Sequence, residues 1–185
     1  MNKEKKDLLL SLNLKDFDSR YLFAIYYALD ISEYKIKFNL IETDKLDELS
    51  KIITLQIPYG IPYYISKKNI LILSKTRFQI AFIVNSIIEI THLSKKQKYI
   101  YNPLAIQEIT IGKAQNCTIY VDDDKDISLI HSTLNYDSKK KSWLIRDGSD
   151  IKESKTGTKI FGLDSYIVHN TTKLLINECI LDIKV

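Results

Sequence analysis

From about residue 93 to the end of the chain, no apolar run is long enough to make a helix of useful length. "EITIG" (108–112), "CTIYV" (117–121), "HSTLNY" (131–136), "SWLIRD" (142–147), "TKIF" (158–161) and "LDIKV" (181–185) are short, rich in β-branched and aromatic residues, and separated by Asp, Gly, Ser and Lys clusters. A strand of this length buries one face, so several of them are stable only as packed sheets. The pattern predicts an all-β sandwich.

The first ninety residues read differently. "DLLLSL" (7–12) is a short apolar run, and "DSRYLFAIYYALDI" (18–31) has helix length with Asp18 or Ser19 placed to cap it. "YKIKFNLIE" (34–42) alternates as a strand does, and "TDKLDELSKII" (43–53) carries a cap and early acids suited to a helix. In "IPYGIPYYISKKNILILS" (57–74) two apolar runs flank a Ser-Lys-Lys turn, which predicts a hairpin. "KTRFQIAFIVNSIIEI" (75–90) then offers Phe78, Ala81, Phe82, Val84 and Ile88 as the core face of a helix.

This order, with Pro62 directly before the third strand, resembles the thioredoxin-like fold and specifically the N-terminal domain of glutathione transferases. The resemblance covers about residues 7–91. It implies a cis peptide at Ile61-Pro62 and a helix N-terminus at Ser74 that would hold a glutamyl carboxylate, a task helix N-termini suit. Chemistry does not follow from it. Redox work of the thioredoxin type needs a low-pKa thiolate, and this region has no cysteine. Ser11 and Ser19 stand in for a transferase hydroxyl by position only, and no all-helical second domain follows. A glutathione-dependent enzyme is thus the more distant alternative.

Three fragments in the second half occur in a telling order: Ile111-Gly112-Lys113, then Asp126-Ile127-Ser128-Leu129-Ile130-His131, then Ser154-Lys155-Thr156-Gly157-Thr158. The series resembles the forkhead-associated (FHA) domain, whose usual pattern is Gly-Arg, Ser-Arg-x-His and Ser-x-Asn-Gly-Thr. Such domains bind phosphothreonine peptides through loops. The resemblance makes Ser128 a phosphate-contacting hydroxyl and His131 a brace, not a catalytic pair. A triad would also need a positioned acid and an oxyanion hole, and no Gly-x-Ser-x-Gly elbow occurs in the chain.

The departures from the pattern fall on the ligand groups. Lys113 keeps a charge but loses the planar fork that arginine offers a phosphate. Leu129 replaces an arginine outright, and Thr156 replaces the asparagine that would hold peptide backbone. The residues kept are Gly112, Ser128, His131, Gly157 and Thr158. Asp122, Asp123, Asp124 and Asp126 precede Ser128, and acids within a Debye length of about 8 Å would repel a phosphate. The residues kept are chiefly those the fold needs, which points to constitutive protein contacts.

The sequence therefore predicts two domains, a thioredoxin-like α/β unit over residues 1–91 and an FHA-like β-sandwich over 92–185. It predicts a non-enzymatic interaction or scaffold protein, an accessory subunit of a multi-protein assembly, with a phosphothreonine-reading adaptor as the alternative. If phosphopeptide binding is retained, Lys113, Ser128 and Thr156 carry it. Net charge is +4 with only three arginines, and no basic stripe interleaved with aromatics occurs, so nucleic acid is not an expected partner. Cys117 and Cys179 stand apart and the three histidines are scattered, so no metal site or cofactor is expected. The longest apolar run is too short to span a bilayer and no signal peptide is evident, which leads to the expectation of a soluble intracellular protein.

Overall fold

The computed structural model describes residues 29–32, 35–38, 53–65, 69–84, 86–161, 165–167, 172–176 and 179–182. In chain order the strands are β1 (Leu29–Ser32), β2 (Lys35–Phe38), β3 (Ile53–Gln56), β4 (Tyr63–Tyr64), β5 (Ile70–Leu73), β6 (Thr76–Phe82), β7 (Ile88–His92) and β8 (Gln97–Tyr101). They continue as β9 (Glu108–Gly112), β10 (Ile119–Tyr120), β11 (Ser132–Asp137), β12 (Ser142–Asp147), β13 (Thr158–Phe161), β14 (Ser165–Ile167), β15 (Lys173–Ile176) and β16 (Cys179–Asp182).

Two of the sheets enclose the core. One is eight-stranded in the order β16-β15-β3-β13-β5-β6-β7-β8, and the other is five-stranded in the order β10-β9-β11-β12-β4. β1, β2 and β14 form a third, smaller sheet. The alternation of side chains decides what each main sheet contributes. Leu55, Phe78, Ile80, Ile88 and Ile90 from the larger sheet meet Ile109, Ile111, Leu134, Trp143 and Ile145 from the smaller one in a single buried cluster. Trp143 packs against Tyr136 with ring centroids 5.4 Å apart, and its indole N–H donates to the Ser86 carbonyl at 2.8 Å. β5, "ILIL", is buried at all four positions, as a continuous apolar run in mid-sheet should be.

The all-β reading of the second half holds. The helix expected over 75–90 does not form. Residues 76–82 and 88–92 are two antiparallel strands with Phe78 opposite His92 and Ile80 opposite Ile90. Phe78, Ile80, Ile88 and Ile90 are buried at period two, while Val84, placed in the helical core face, is 59% exposed. β-branched residues at alternate positions fit a pleated sheet better than a helix, and a neighbouring strand was there to accept them.

The other glutathione-transferase features of this region fall with the helix. No cis peptide bond occurs among the described residues, so Ile61-Pro62 is trans, and Pro62 lies exposed in the loop before β4. Ser74 sits in a hairpin turn at φ 59 between β5 and β6, not at a helix N-terminus. The expected boundary between residues 91 and 92 falls inside β7, whose partners on either side, β6 and β8, belong to one continuous sheet. The run expected at 7–12 and most of the helices expected over 18–31 and 43–53, with Ser11 and Ser19, lie outside the described residues; where those helices reach described residues, at 29–31 and 53, the chain is strand, in β1 and β3.

Candidate functional site: a loop cluster around Ser128

Three connections meet at one end of the sandwich: β9–β10 (113–118), β10–β11 (121–131) and β12–β13 (148–157). Backbone bonds tie the first to the second, Lys113 N to Ser128 O and Ala114 N to Leu129 O, both 3.0 Å. Such close approach excludes a side chain at Gly112, where a Cβ would lie 2.2 Å from the Leu129 carbonyl oxygen. Gly157, at φ +74, would drive a Cβ to 2.4 Å from the Gln56 amide nitrogen.

His131 is fully buried at the centre of the cluster. Its Nδ1 accepts the backbone N–H of Ser128 at 3.2 Å, and Nε2 lies 3.3 Å from the Gly157 carbonyl. Accepting at Nδ1 assigns the proton to Nε2, which donates to Gly157. Burial is the largest influence on this imidazole and lowers its pKa, which keeps the ring neutral. The ring engages the backbone of Ser128 and not its hydroxyl, so it is not placed to act as a base on that oxygen. The Ser128 hydroxyl instead accepts the Lys155 N–H at 2.8 Å, and its own hydrogen remains available to a ligand.

A buried carboxylate that sequence reasoning missed anchors the third loop. Asp147 accepts from Ser154 N (3.1 Å), Ser154 Oγ (2.6 Å) and Thr158 N (2.6 Å), and the Thr158 hydroxyl lies 2.8 Å from it. Thr158 Oγ1 is also 3.0 Å from the His131 carbonyl, joining the second loop to the third. The Asp147-Gly148 dipeptide was the available signal, since Gly148 takes φ +68 where a Cβ would meet Lys152 O at 2.2 Å.

The acidic run before Ser128 is differently disposed from a set of free carboxylates. Asp124 is buried, and its carboxylate takes the N–H of Lys75 (2.9 Å), Thr76 (3.2 Å) and Asp126 (3.1 Å) with the hydroxyls of Thr76 (3.1 Å) and Ser74 (3.2 Å). Asp122 and Asp123 flank the Lys95 ammonium at 3.0 and 3.2 Å. Asp126 lies between Lys75 at 3.9 Å and Lys155 at 3.7 Å. The run is thus largely matched by cations and donors.

For Asp124, burial raises the pKa, but the N–H donors of Lys75 and Asp126 and the hydroxyls of Thr76 and Ser74 outweigh it and hold the group below the ordinary range. A folded pKa below the unfolded value, about 3.9, contributes stability above that pH and loses it as pH falls through the folded value. The Asp124→Asn variant should therefore lose less stability than the parent between about pH 5 and pH 2, read from urea midpoints across that range.

The ligand-type positions are disposed unevenly. The Lys113 side chain is exposed, with its Nζ 3.5 Å from the Lys125 carbonyl. Leu129 is 65% exposed, so an apolar side chain stands in solvent where the FHA pattern has a guanidinium. The Thr156 hydroxyl is buried with no hydrogen-bond partner. Cys117 is a free buried thiol that lies 3.2 Å from the Leu129 carbonyl, with a pKa pushed up by burial. Among the described residues no group of three His, Cys, Asp or Glu could hold a metal ion, and no helix is long and apolar enough to cross a membrane.

The β-sandwich thus gathers three loops on a buried histidine and a buried aspartate at one end. Residues 109–182 match the family model of the FHA domain, which supports the FHA resemblance for this part of the chain, less than half of its length. No curated protein and no solved structure matches the chain.

Proposed function

We propose that this protein is a non-enzymatic interaction module, an accessory subunit of a larger protein assembly, whose FHA-type phosphate site is weakened. The observation that carries the reading is the contrast within one loop cluster. The bracing groups His131, Asp147 and Thr158 are fully engaged, while the cations near Ser128 are poor phosphate ligands. Lys155 is shared with Asp126, and Leu129 supplies no charge. A phosphate dianion would compete with Asp126 for a lysine that offers a point charge and no fork.

The phosphothreonine-reading adaptor is the second reading. It is favoured by the free hydroxyl hydrogen of Ser128 and the exposed ammonium groups of Lys113 and Lys155. Titration of fluorescent phosphothreonine peptides separates the two. On the proposed reading the natural protein binds weakly, and Asp126→Asn, which frees Lys155 and Lys75, improves binding several-fold at low salt and less at high salt. Micromolar binding by the natural protein, lost on Ser128→Ala and indifferent to Asp126→Asn, would make it an adaptor.

A further inference from the structure

We infer that this chain is two tandem copies of one β-unit whose C-terminal hairpins have changed places, so that a hairpin from the first copy braces the Ser128 loop of the second. The order β16-β15-β3-β13-β5-β6 reads the same from either end once β3 is matched with β13, β5 with β15 and β6 with β16. The two central strands pair antiparallel with Gln56 opposite Lys159, and Ile57 N donates to Thr158 O at 2.9 Å. An approximate two-fold axis thus passes between Gln56 and Lys159.

The pairings of β3, β5 and β6 have counterparts in those of β13, β15 and β16. β13 receives β5 of the first copy, and β3 receives β15 of the second. Both hairpins are built alike, with Leu73 opposite Thr76 and Ile176 opposite Cys179, leaving two residues between the strands of each. The smaller sheets repeat the exchange. The β11–β12 hairpin receives β4 of the first copy on its β12 edge, with Ile145 opposite Tyr63, and the β1–β2 hairpin receives β14 of the second on its β2 edge, with Ile36 opposite Tyr166. The β15–β16 hairpin is slid two residues along β3 relative to perfect symmetry, an even shift that preserves the period-two alternation of a strand.

The sequence echoes this independently. Residues 62–82, "PYYISKKNILILSKTRFQIAF", and 165–185, "SYIVHNTTKLLINECILDIKV", align without a gap at a spacing of 103. Tyr63 meets Tyr166, Leu71 meets Leu174 and Ile80 meets Ile183, and Ile72, Leu73 and Phe78 beside the turn fall on Leu175, Ile176 and Leu181, while Ile70 falls on Lys173 and Arg77 on Ile180. At the same spacing Gln56 falls on Lys159, the pair at the two-fold axis.

The exchange reaches the loop cluster through Asp124. Its carboxylate binds Ser74, Lys75 and Thr76 in the turn of the hairpin that the first copy supplies. Lys75, also from the first copy, lies 3.9 Å from Asp126, two residues before Ser128. The segment matched at 109–182 therefore depends on residues outside the match to position its loop.

Cysteine pairs in the full chain test the exchange, with bridges mapped by peptide mass. Ile72→Cys with Lys159→Cys, and Thr54→Cys with Leu175→Cys, place thiols at directly opposed positions of neighbouring strands. Such positions lie about 4.5–5.5 Å apart at Cα, within disulfide reach. Both pairs should bridge within one chain. Their unexchanged counterparts, Lys159→Cys with Leu175→Cys and Thr54→Cys with Ile72→Cys, stand two strands apart, roughly 9–10 Å, and should not. The reverse outcome, or bridging of the first two pairs only between chains, overturns the inference. Amine cross-linking of the unmodified protein gives a second readout should a variant fail to fold. Lys75 and Lys155 flank one carboxylate, so a short bifunctional reagent should link them within one chain, and absence of that link counts against the exchange.

Discussion

Replacing Asp147 with alanine should lower stability by about 3–5 kcal/mol. The carboxylate is 4% exposed and is the acceptor for Ser154 N, Ser154 Oγ and Thr158 N, with the Thr158 hydroxyl at 2.8 Å. Hydrogen bonds to a charged acceptor contribute about 1.5–3 kcal/mol each, and buried donors left without an acceptor cost more than the bond was worth. The contributions overlap, because the same loop orders all of them, so the sum is well below four separate bonds. Guanidinium denaturation of the full chain reads the effect as a lower midpoint. Asp147→Asn, which keeps one carbonyl oxygen and the volume, should fall between the two. A loss under about 1 kcal/mol for the alanine variant would show that water or a relaxed loop replaces the carboxylate.

The second large effect is a gain. Restoring the FHA pattern with Lys113→Arg, Leu129→Arg and Thr156→Asn should raise phosphothreonine-peptide affinity at least tenfold, and about a hundredfold if two contacts form well. Each good charge-assisted bond contributes about 1.5–3 kcal/mol, and every 1.4 kcal/mol is about tenfold in affinity. The structure ranks the three changes. Leu129 is exposed, so a guanidinium there costs no burial. Lys113 is exposed as well and already directed along the loop toward Lys125. Thr156→Asn contributes least, since the Thr156 hydroxyl is buried and an amide needs room as well as a partner. The double change Lys113→Arg with Leu129→Arg should therefore carry most of the gain. Isothermal titration with one phosphothreonine peptide and its unphosphorylated twin measures it. If the natural protein already binds at micromolar levels and the triple change adds nothing, the site is not weakened.

One acidic residue must be left out of any attempt to strengthen the site by removing negative charge. Asp124 belongs to the run that precedes Ser128, yet it holds the turn at 74–76 and is matched by five donors. Asp126 is the carboxylate that competes for Lys155. Sequence proximity alone grouped them; packing separates them by function.

The sequence by itself determined the sheet character of the second half, because short β-branched runs broken by turn residues have few stable solutions. Its Gly112, Ser128, His131 and Gly157-Thr158 signals fall on one loop cluster, since a close approach at Gly112 and a left-handed residue at Gly157 are local demands that one residue type meets. Residues 75–90 are the instructive contrast. Phe78, Ile80, Ile88 and Ile90 satisfy a strand, yet Phe78, Ala81, Phe82 and Val84 also trace a helical stripe, and a dense apolar segment carries both periods at once. What decided between them lay far along the chain. β5 pairs with β13, some 85 residues away in sequence, and β6 follows β5 through a turn held by Asp124. The role of Asp147 needed the same non-local information, because its Asp-Gly pair signals a turn but its donors, Ser154 and Thr158, reach it only in the folded chain. Local pattern limits the backbone to a few conformations, and only non-local strand partners and buried acceptors, whose free energy no short window contains, choose among them.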